Sequence, residues 1–416
     1  MKIVLFVSHS AELNGAELWL LETLRRLDRR SFRPLLAVPR PGPLIREAED
    51  AGVETLVIAA KWWLTEKSGV WRQPAAWLWN RGSVRRLLRL IRDRNVDLVF
   101  SNSAAAFGGA LAAKKAGVPH VWSIHEILRG DGTLLRYFFG AASLGRFILR
   151  RSTRVIVNSE ATKAGLPPSD KIVLIWNGVE IKPGDPSRQE ALRREFGLVE
   201  GDLGLAVIGK IYPEKGQREV VEAVSLLSAK YPRLRLFLAG AVKDDRYAAA
   251  IRNAVRCRGL GGKVVFTGYV ADLENFLKLM SAVVVASVVE SFGRAALEGM
   301  AAGVPVLAVR AGGLAEIIEP GLNGDLADSP EPAVLAAAID ALLADEGRRR
   351  AFIENGFKTI RTKFSLGRQV RGVERVLAEI LGGTLLVPPP WDGGGEGTYF
   401  AGRPGGGAGP AEGSST

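Results

Sequence analysis

Cysteine is almost absent. A single residue, Cys257, in a chain of 416 excludes an intramolecular disulfide framework and any thiolate-built metal cluster. Histidine is scarce as well, and His9, His120 and His125 are too few to suggest a zinc site. No apolar run approaches the ~18 residues that a membrane-spanning helix needs. The opening MKIVLFVSHS has too short an apolar stretch and no cleavage-type ending for a signal peptide, so it reads as a first buried strand. A reducing, cytoplasmic compartment is expected. The sequence also lacks the P-loop pattern G-x4-G-K-S/T, the GxGxxG dinucleotide fingerprint and a D-x-D metal motif.

What is present is globular: 47% apolar and 24% charged residues, close to average usage. The length calls for two domains of about 150–200 residues. The net charge of +12 is unevenly placed. Residues 1–180 hold 27 basic against 16 acidic side chains, and residues 181–416 hold 29 against 28. A basic first half suits an anionic membrane surface, an anionic acceptor or nucleic acid.

Strand-like runs at 3–7, 35–38, 55–58, 98–100, 120–123 and 155–157 alternate with helix-patterned segments, the first at about 16–27. Continuous β-branched runs between amphipathic helices indicate parallel sheets covered on both faces. The stretch 177–187 (NGVEIKPGDPS) breaks the pattern as a linker. Alternation then resumes at 203–208, 234–238, 264–266 and 282–286, with helices at about 217–230 and before Arg258. The expected architecture is α/β: two doubly wound, Rossmann-like parallel-sheet domains facing a cleft, at 1–178 and 179–365. A C-terminal helix at 366–381 can cross back to the first domain, and a Gly/Pro-rich tail at 382–416 is expected to be disordered.

Two loops of the second half carry chemistry. The segment GKIYPEKG (209–216) joins a strand to a helix, where free backbone N–H groups and the helix dipole suit a phosphate. Gly209 opens it, and Lys210 and Lys215 add charge; two solvated lysines is the plainer reading. The segment ESFGRAALE (290–298) places Glu290 before a helix start and Glu298 within the helix. The amides of Phe292, Gly293 and Arg294 point outward there. Glu290 can accept from a sugar hydroxyl and Glu298 from a ribose diol, while Gly293 lets a ligand approach the backbone. Equally, Glu290 can cap the helix and Glu298 can be solvated.

ESFGRAALE resembles the E-x7-E motif of retaining family-four glycosyltransferases, which have the GT-B fold. The neighbourhood resembles the family too. GKIYPEKG is similar to its G-R-x4-K-G phosphate loop, VVFTGYV (264–270) to its F-x-G-x-V stretch near the base, and GMAAGVPVLAVRAGGLAEII (299–318) to the segment after the second glutamate. GLNGDL, VIVNSE and IWNGVE match further segments, so the resemblance covers about 1–381. It implies a nucleoside-diphosphate sugar, UDP- or GDP-linked, as substrate, and neither cofactor nor metal. It further implies that Lys210 and Lys215 bind the diphosphate, that Glu290 contacts the donor sugar and Glu298 the ribose, and that Val270 lies near the base. Gly312 and Gly313 then lie near the phosphates. Two departures stand out: Lys210 replaces the usual Arg fork by a point charge, and AGAVKDD after Leu238 lacks the second glycine of a G-x-G.

In the first half, NGAE (14–17) resembles the family's GGAE loop, so Gly15 can bring amides to the phosphates or the acceptor. An ordinary helix start capped by Asn14 is the alternative. His125, in SIHE after a strand, matches a family histidine beside the reacting sugar, although a lone His in such a place is more often structural. His9 also follows a strand and ranks below it. Arg81, Arg85, Arg89 and Arg92 share a face at helical spacing, opposite Val84, Leu87, Leu90 and Ile91. A second helix at 134–154 gathers Arg136, Arg146, Arg150 and Arg154, and each stripe can equally be a solvated face. Trp62, Trp63, Trp71, Trp77 and Trp79 crowd the same region. Trp beside Arg suits a membrane interface or sugar stacking.

The expected function is a retaining, hexosyltransferase-type glycosyltransferase acting on a lipid-linked, glycan or other envelope-related acceptor. The protein would be cytoplasmic or peripheral on the inner face of the cytoplasmic membrane. Rivals are a sugar-nucleotide epimerase or a phosphorylase-like enzyme on the same fold, and a catalytically inactive nucleotide-sugar-binding protein. No nucleic acid is expected, since no recognised binding module accompanies the basic half.

Overall fold

The computed structural model describes residues 1–64, 73–128, 137 and 139–382. Trp71, Arg136 and the tail from 383 lie outside them. Two all-parallel sheets form. The first contains β1 (Lys2–Ser8), β2 (Phe32–Val38), β3 (Glu54–Val57), β4 (Leu98–Asn102), β5 (His120–Ile124), β6 (Arg154–Val157) and β7 (Ile172–Leu174), ordered β3-β2-β1-β4-β5-β6-β7. The second contains β8 (Leu203–Ile208), β9 (Leu234–Ala239), β10 (Val264–Gly268), β11 (Ala282–Val285), β12 (Val306–Val309) and β13 (Asp325–Ala327), ordered β10-β9-β8-β11-β12-β13. The continuous apolar runs become central strands buried on both faces, as in VLFV of β1 and VVV of β11.

In each sheet the strand order reverses once, between β1 and β4 and between β8 and β11. Those are the switch points where open α/β sheets leave a crevice at the carboxyl ends of strands. His9 follows β1, Asn102 ends β4, Gly209 follows β8, and Glu290 lies in the loop after β11.

The chain crosses between the sheets twice, side by side. Val179 donates its N–H to the Phe364 carbonyl (2.9 Å) and accepts from the Leu366 N–H (3.1 Å). A Cβ on Gly178 would stand 2.4 Å from the Ser365 carbonyl oxygen, so the crossing tolerates no side chain there. Beyond it, the helix Leu366–Leu381 returns to the first sheet and buries Val373, Val376 and Leu377 against Leu20 and Phe100. Gln369 is its polar anchor. The side chain accepts from the Gly178 N–H (2.7 Å) and donates to the Trp19 carbonyl (3.2 Å) and Thr23 Oγ1 (2.9 Å).

Three expectations change. The linker is shorter, because Asp185 caps a helix Pro186–Glu195 by accepting from the Ser187 and Arg188 amides. The second basic helix spans Ala141–Arg151, and Arg154 belongs to β6 and pairs with Glu379. Arg154 therefore takes no part in a basic stripe. Trp63 is fully buried, its Nε1 donating to the Ala104 carbonyl (3.0 Å), so it is a core residue. By contrast Arg81, Arg85, Arg89 and Arg92 are exposed on the helix Gln73–Asp93, with Val84, Leu87, Leu90 and Ile91 buried beneath them. Among the described residues, no helix is long and apolar enough to cross a membrane.

Candidate active site

The two switch points face each other across a cleft of about 310 Å³. His9, Trp62 and His125 line one wall, and Tyr212, Lys215, Lys243 and Glu290 the other.

On the second-domain wall, the turn Pro213–Lys215 and the helix Gln217–Leu227 follow β8, with Gly216 left-handed between them. A Cβ on Gly216 would stand 2.2 Å from the Ala286 carbonyl oxygen, so the loop packs directly on the segment leading to Glu290. That packing brings Lys215 Nζ to 2.7 Å from Glu290 Oε2, both side chains largely buried. Burial pulls the Lys215 pKa down, but Glu290, with Tyr212 and Glu214, offsets it and the net shift is upward. The ammonium stays charged, with two N–H groups beyond the one directed at Glu290. Lys210 stands exposed at the rim. Its pKa is lowered by partial burial, countered mainly by Glu17 of the opposite wall.

Glu290 does not cap the following helix. Arg294–Ala301 begins behind Gly293, and no side chain caps it. Gly293 is left-handed (φ +112), a conformation side chains rarely adopt, and a Cβ there would also crowd Leu314 Cδ2 at 2.5 Å; the backbone favours the glycine, whatever else approaches it. The Phe292 ring is buried against Phe364, which leaves its backbone alone for a ligand. Gly312 and Gly313 support Glu290 from behind. The Gly313 N–H donates to the Glu290 carbonyl (3.1 Å), and a Cβ on Gly312 would stand 1.8 Å from that oxygen.

Glu298 is not simply solvated. It receives Arg294 Nε at 2.7 Å, one turn away, while Arg294 Nη1 and Nη2 reach Glu22 of the helix Gly15–Arg26 at 2.8 and 2.7 Å. This largely buried Glu–Arg–Glu triad joins the two domains. Burial raises the Glu298 pKa, opposed by Arg294. Val270 is half-buried just beyond β10.

On the first-domain wall, Gly15 begins its helix with open space where a Cβ would project. Asn14 holds the N-cap position without a side-chain hydrogen bond. His125 is buried, with Nε2 2.9 Å from Asn102 Oδ1 and 3.0 Å from Ser123 Oγ. The Asn102 amide group donates to the Ala16 carbonyl (2.9 Å), so Oδ1 faces the imidazole and Nε2 carries the proton. Burial depresses the His125 pKa to about 4, with Glu126 opposing and His9 reinforcing. The ring is neutral near pH 7.

Four hydrogen bonds have no signal in the sequence. Glu316 accepts from the Glu160 and Ala161 amides (3.0 and 3.1 Å) and from Trp176 Nε1 (3.1 Å), and Ser159 Oγ donates to the Ser291 carbonyl (2.6 Å). Gly240, the remaining glycine of the incomplete G-x-G, faces the Gly209 carbonyl, where a Cβ would clash at 2.1 Å. Only Arg294 had a local signal, its i,i+4 spacing to Glu298.

Family comparison fits this geometry. Residues 13–182 match the Glycosyltransferase Family 4 model and 188–359 the Glycosyl transferases group 1 model. The chain belongs to this glycosyltransferase family. An uncharacterized glycosyltransferase of Methanocaldococcus jannaschii is 29% identical over 299 residues, 70% of this chain and 78% of that one. A D-inositol 3-phosphate glycosyltransferase of Salinispora arenicola is 28% identical over 295 residues, 65% and 66% of the two chains. Among solved structures, Anabaena HepE in complex with UDP-glucose superimposes with a TM-score of 0.78 at 23% identity, over 91% of this chain and 100% of that one. A glycosyltransferase from Rickettsia africae gives 0.77 at 20% identity, over 92% and 100%. The fold is GT-B, and the protein is a glycosyltransferase.

Proposed function

We propose that this glycosyltransferase is retaining and transfers a hexose from a nucleoside-diphosphate sugar to a glycan or glycolipid acceptor. The observation that carries the reading is the Lys215–Glu290 pair at the second-domain switch point. A cation with spare N–H groups and a carboxylate for sugar hydroxyls share one wall of the cleft. UDP-linked donors are favoured over GDP-linked ones, since HepE was crystallised with UDP and with UDP-glucose.

In this reading Lys215 and Lys210 stabilise the departing diphosphate as its charge develops, helped by amides at the loop and the Gly15 helix start. Glu290 orients the donor sugar and Glu298 takes the ribose. His125 is neutral and its Nε2 proton is held by Asn102, so it shapes the sugar site rather than moving a proton. The acceptor attacks from the face the diphosphate leaves, and the leaving phosphate takes the acceptor's proton.

Glu290→Ala is expected to abolish transfer from UDP-sugars while circular dichroism shows the fold retained, with the melting temperature lowered by on the order of 10 °C because the largely buried Lys215 loses its partner. Near-normal transfer would overturn the assignment, and a panel of UDP-, GDP- and ADP-sugars reads out the donor. Docking on anionic membrane through Arg81, Arg85, Arg89 and Arg92 belongs to the same proposal, because these exposed cations share their helix with the exposed Leu78 and Trp79. Sedimentation with anionic liposomes at low salt should recover the wild type and lose an Arg85/Arg89 charge reversal. No binding by the wild type would exclude docking.

A further inference from the structure

The first-domain wall holds a constellation that the donor reading leaves unused. Trp62 is 53% exposed in a cleft where most large apolar groups are covered, yet it is held in place. Its Nε1 donates to the His9 carbonyl (2.9 Å), and the two rings lie 5.3 Å apart at 44°. The other side of His9 faces Glu17, with Nδ1 3.2 Å from Oε1 and only 12% of the side chain exposed.

Glu17 is fully buried, and neither of its carboxylate oxygens has a hydrogen bond. A buried carboxylate without donors is costly, and the neighbouring imidazole N–H is the group placed to relieve it. With its proton on Nδ1 beside the carboxylate, the neutral imidazole keeps its lone pair on Nε2, and His9 lines the cleft. The wall therefore offers a flat, immobilised aromatic face with a fixed hydrogen-bond acceptor beside it. A pyranose fits that chemistry: its C–H face lies on an indole while a ring hydroxyl donates to the nitrogen.

We propose that Trp62, His9 and Glu17 form an acceptor subsite for a carbohydrate, with Trp62 as the platform, His9 as the hydroxyl acceptor and Glu17 as the positioning residue behind it. This rests on the donor occupying the Lys215–Glu290 wall. Both walls border one cleft, so the bound pyranose would present a hydroxyl toward the donor sugar.

The test is saturation-transfer NMR on the full chain loaded with UDP, using methyl α-D-mannopyranoside, methyl α-D-glucopyranoside and methyl β-D-galactopyranoside as probes at millimolar concentration. At least one glycoside should receive saturation in its ring protons. Trp62→Ala should weaken that binding roughly 5-fold, the size of one aromatic contact, and Trp62→Phe should retain most of it. His9→Ala should weaken it comparably while UDP affinity, measured by calorimetry, stays the same. Equal signals in the wild type and Trp62→Ala would overturn the subsite and leave the donor reading standing, as would no signal from any glycoside while UDP remains bound. Failure of UDP to bind the wild type would overturn the donor reading and this inference with it.

Discussion

Replacing Arg294 by Met would remove the centre of the triad that joins the domains. Its guanidinium makes three contacts of 2.7–2.8 Å to Glu22 and Glu298, and side-chain exposures of 16, 17 and 19% keep water largely out. Without the cation, two carboxylates confront each other in a partly dry site. Deleting one partner of a buried ion pair costs about 3–5 kcal/mol, equivalent to a fall in Tm on the order of 10 °C. The deficit should depend on pH with a definite sign. Burial already raises the Glu298 pKa and Arg294 opposes that rise, so removing Arg294 raises it further. A carboxyl whose pKa is raised in the folded state destabilises when ionised, and that penalty fades as pH falls through the raised value. Melting followed by near-UV circular dichroism should therefore show a large Arg294→Met deficit at pH 8 and a smaller one at pH 5. The triple change Glu22→Leu, Arg294→Met, Glu298→Leu should recover most of the stability, because apolar residues of similar volume replace the buried charges. A deficit below about 1 kcal/mol, or one that does not move with pH, would refute the reasoning, since such values belong to an exposed surface pair.

Gly312→Ala should displace the Glu290 backbone, whose carbonyl lies where the new Cβ would sit. Transfer should fall about 100-fold, as for a 1 Å misplacement at a reacting centre, for only ~1–3 kcal/mol of stability; initial rates beside a thermal melt separate the two. The ring-proton NMR signals of His120 and His125 should stay flat from pH 8 to pH 5, because burial lowers their pKa values to about 3 and about 4. The stability they contribute is complete above pH 6.5 and is lost as pH falls toward those values, so a midpoint near 6.5 for either ring would contradict their burial as neutral groups. Ending the chain after Ser365 should yield aggregated protein on size exclusion, since the first sheet would lose the cover of Val373, Val376 and Leu377, each worth ~1.5–3 kcal/mol.

The parallel sheets were legible because their strands are buried on both faces and so read as unbroken apolar runs. Boundaries failed where local composition carried two meanings. Pro186 reads as a linker residue, but Pro is also favoured in the first turn of a helix, and Asp185 caps it there. Arg154 continues the spacing of a basic helix, yet the chain has already entered β6. Trp63 and Trp62 are neighbours of identical type, one wholly buried and one half exposed, and composition cannot distinguish them.

The site divides along the same line. Glu290, Glu298, Lys210 and Lys215 stand out in sequence because glycine and charge gather in and just after loops at strand ends, although a helix cap or solvated side chains read equally well there. Which of them meet is another matter. Lys215 and Glu290 are 75 residues apart, and Arg294 and Glu22 are 272 apart. Sequence alone determined the alternating elements, the two sheets and the residue types available at their ends, because periodicity and turn chemistry act over a few residues. Tertiary structure decided the partners: the lysine tied to Glu290, the arginine shared between Glu298 and the first domain, and the indole pinned on His9. Those contacts arise where strand order reverses and where the chain crosses twice between the sheets, and no local pattern encodes either.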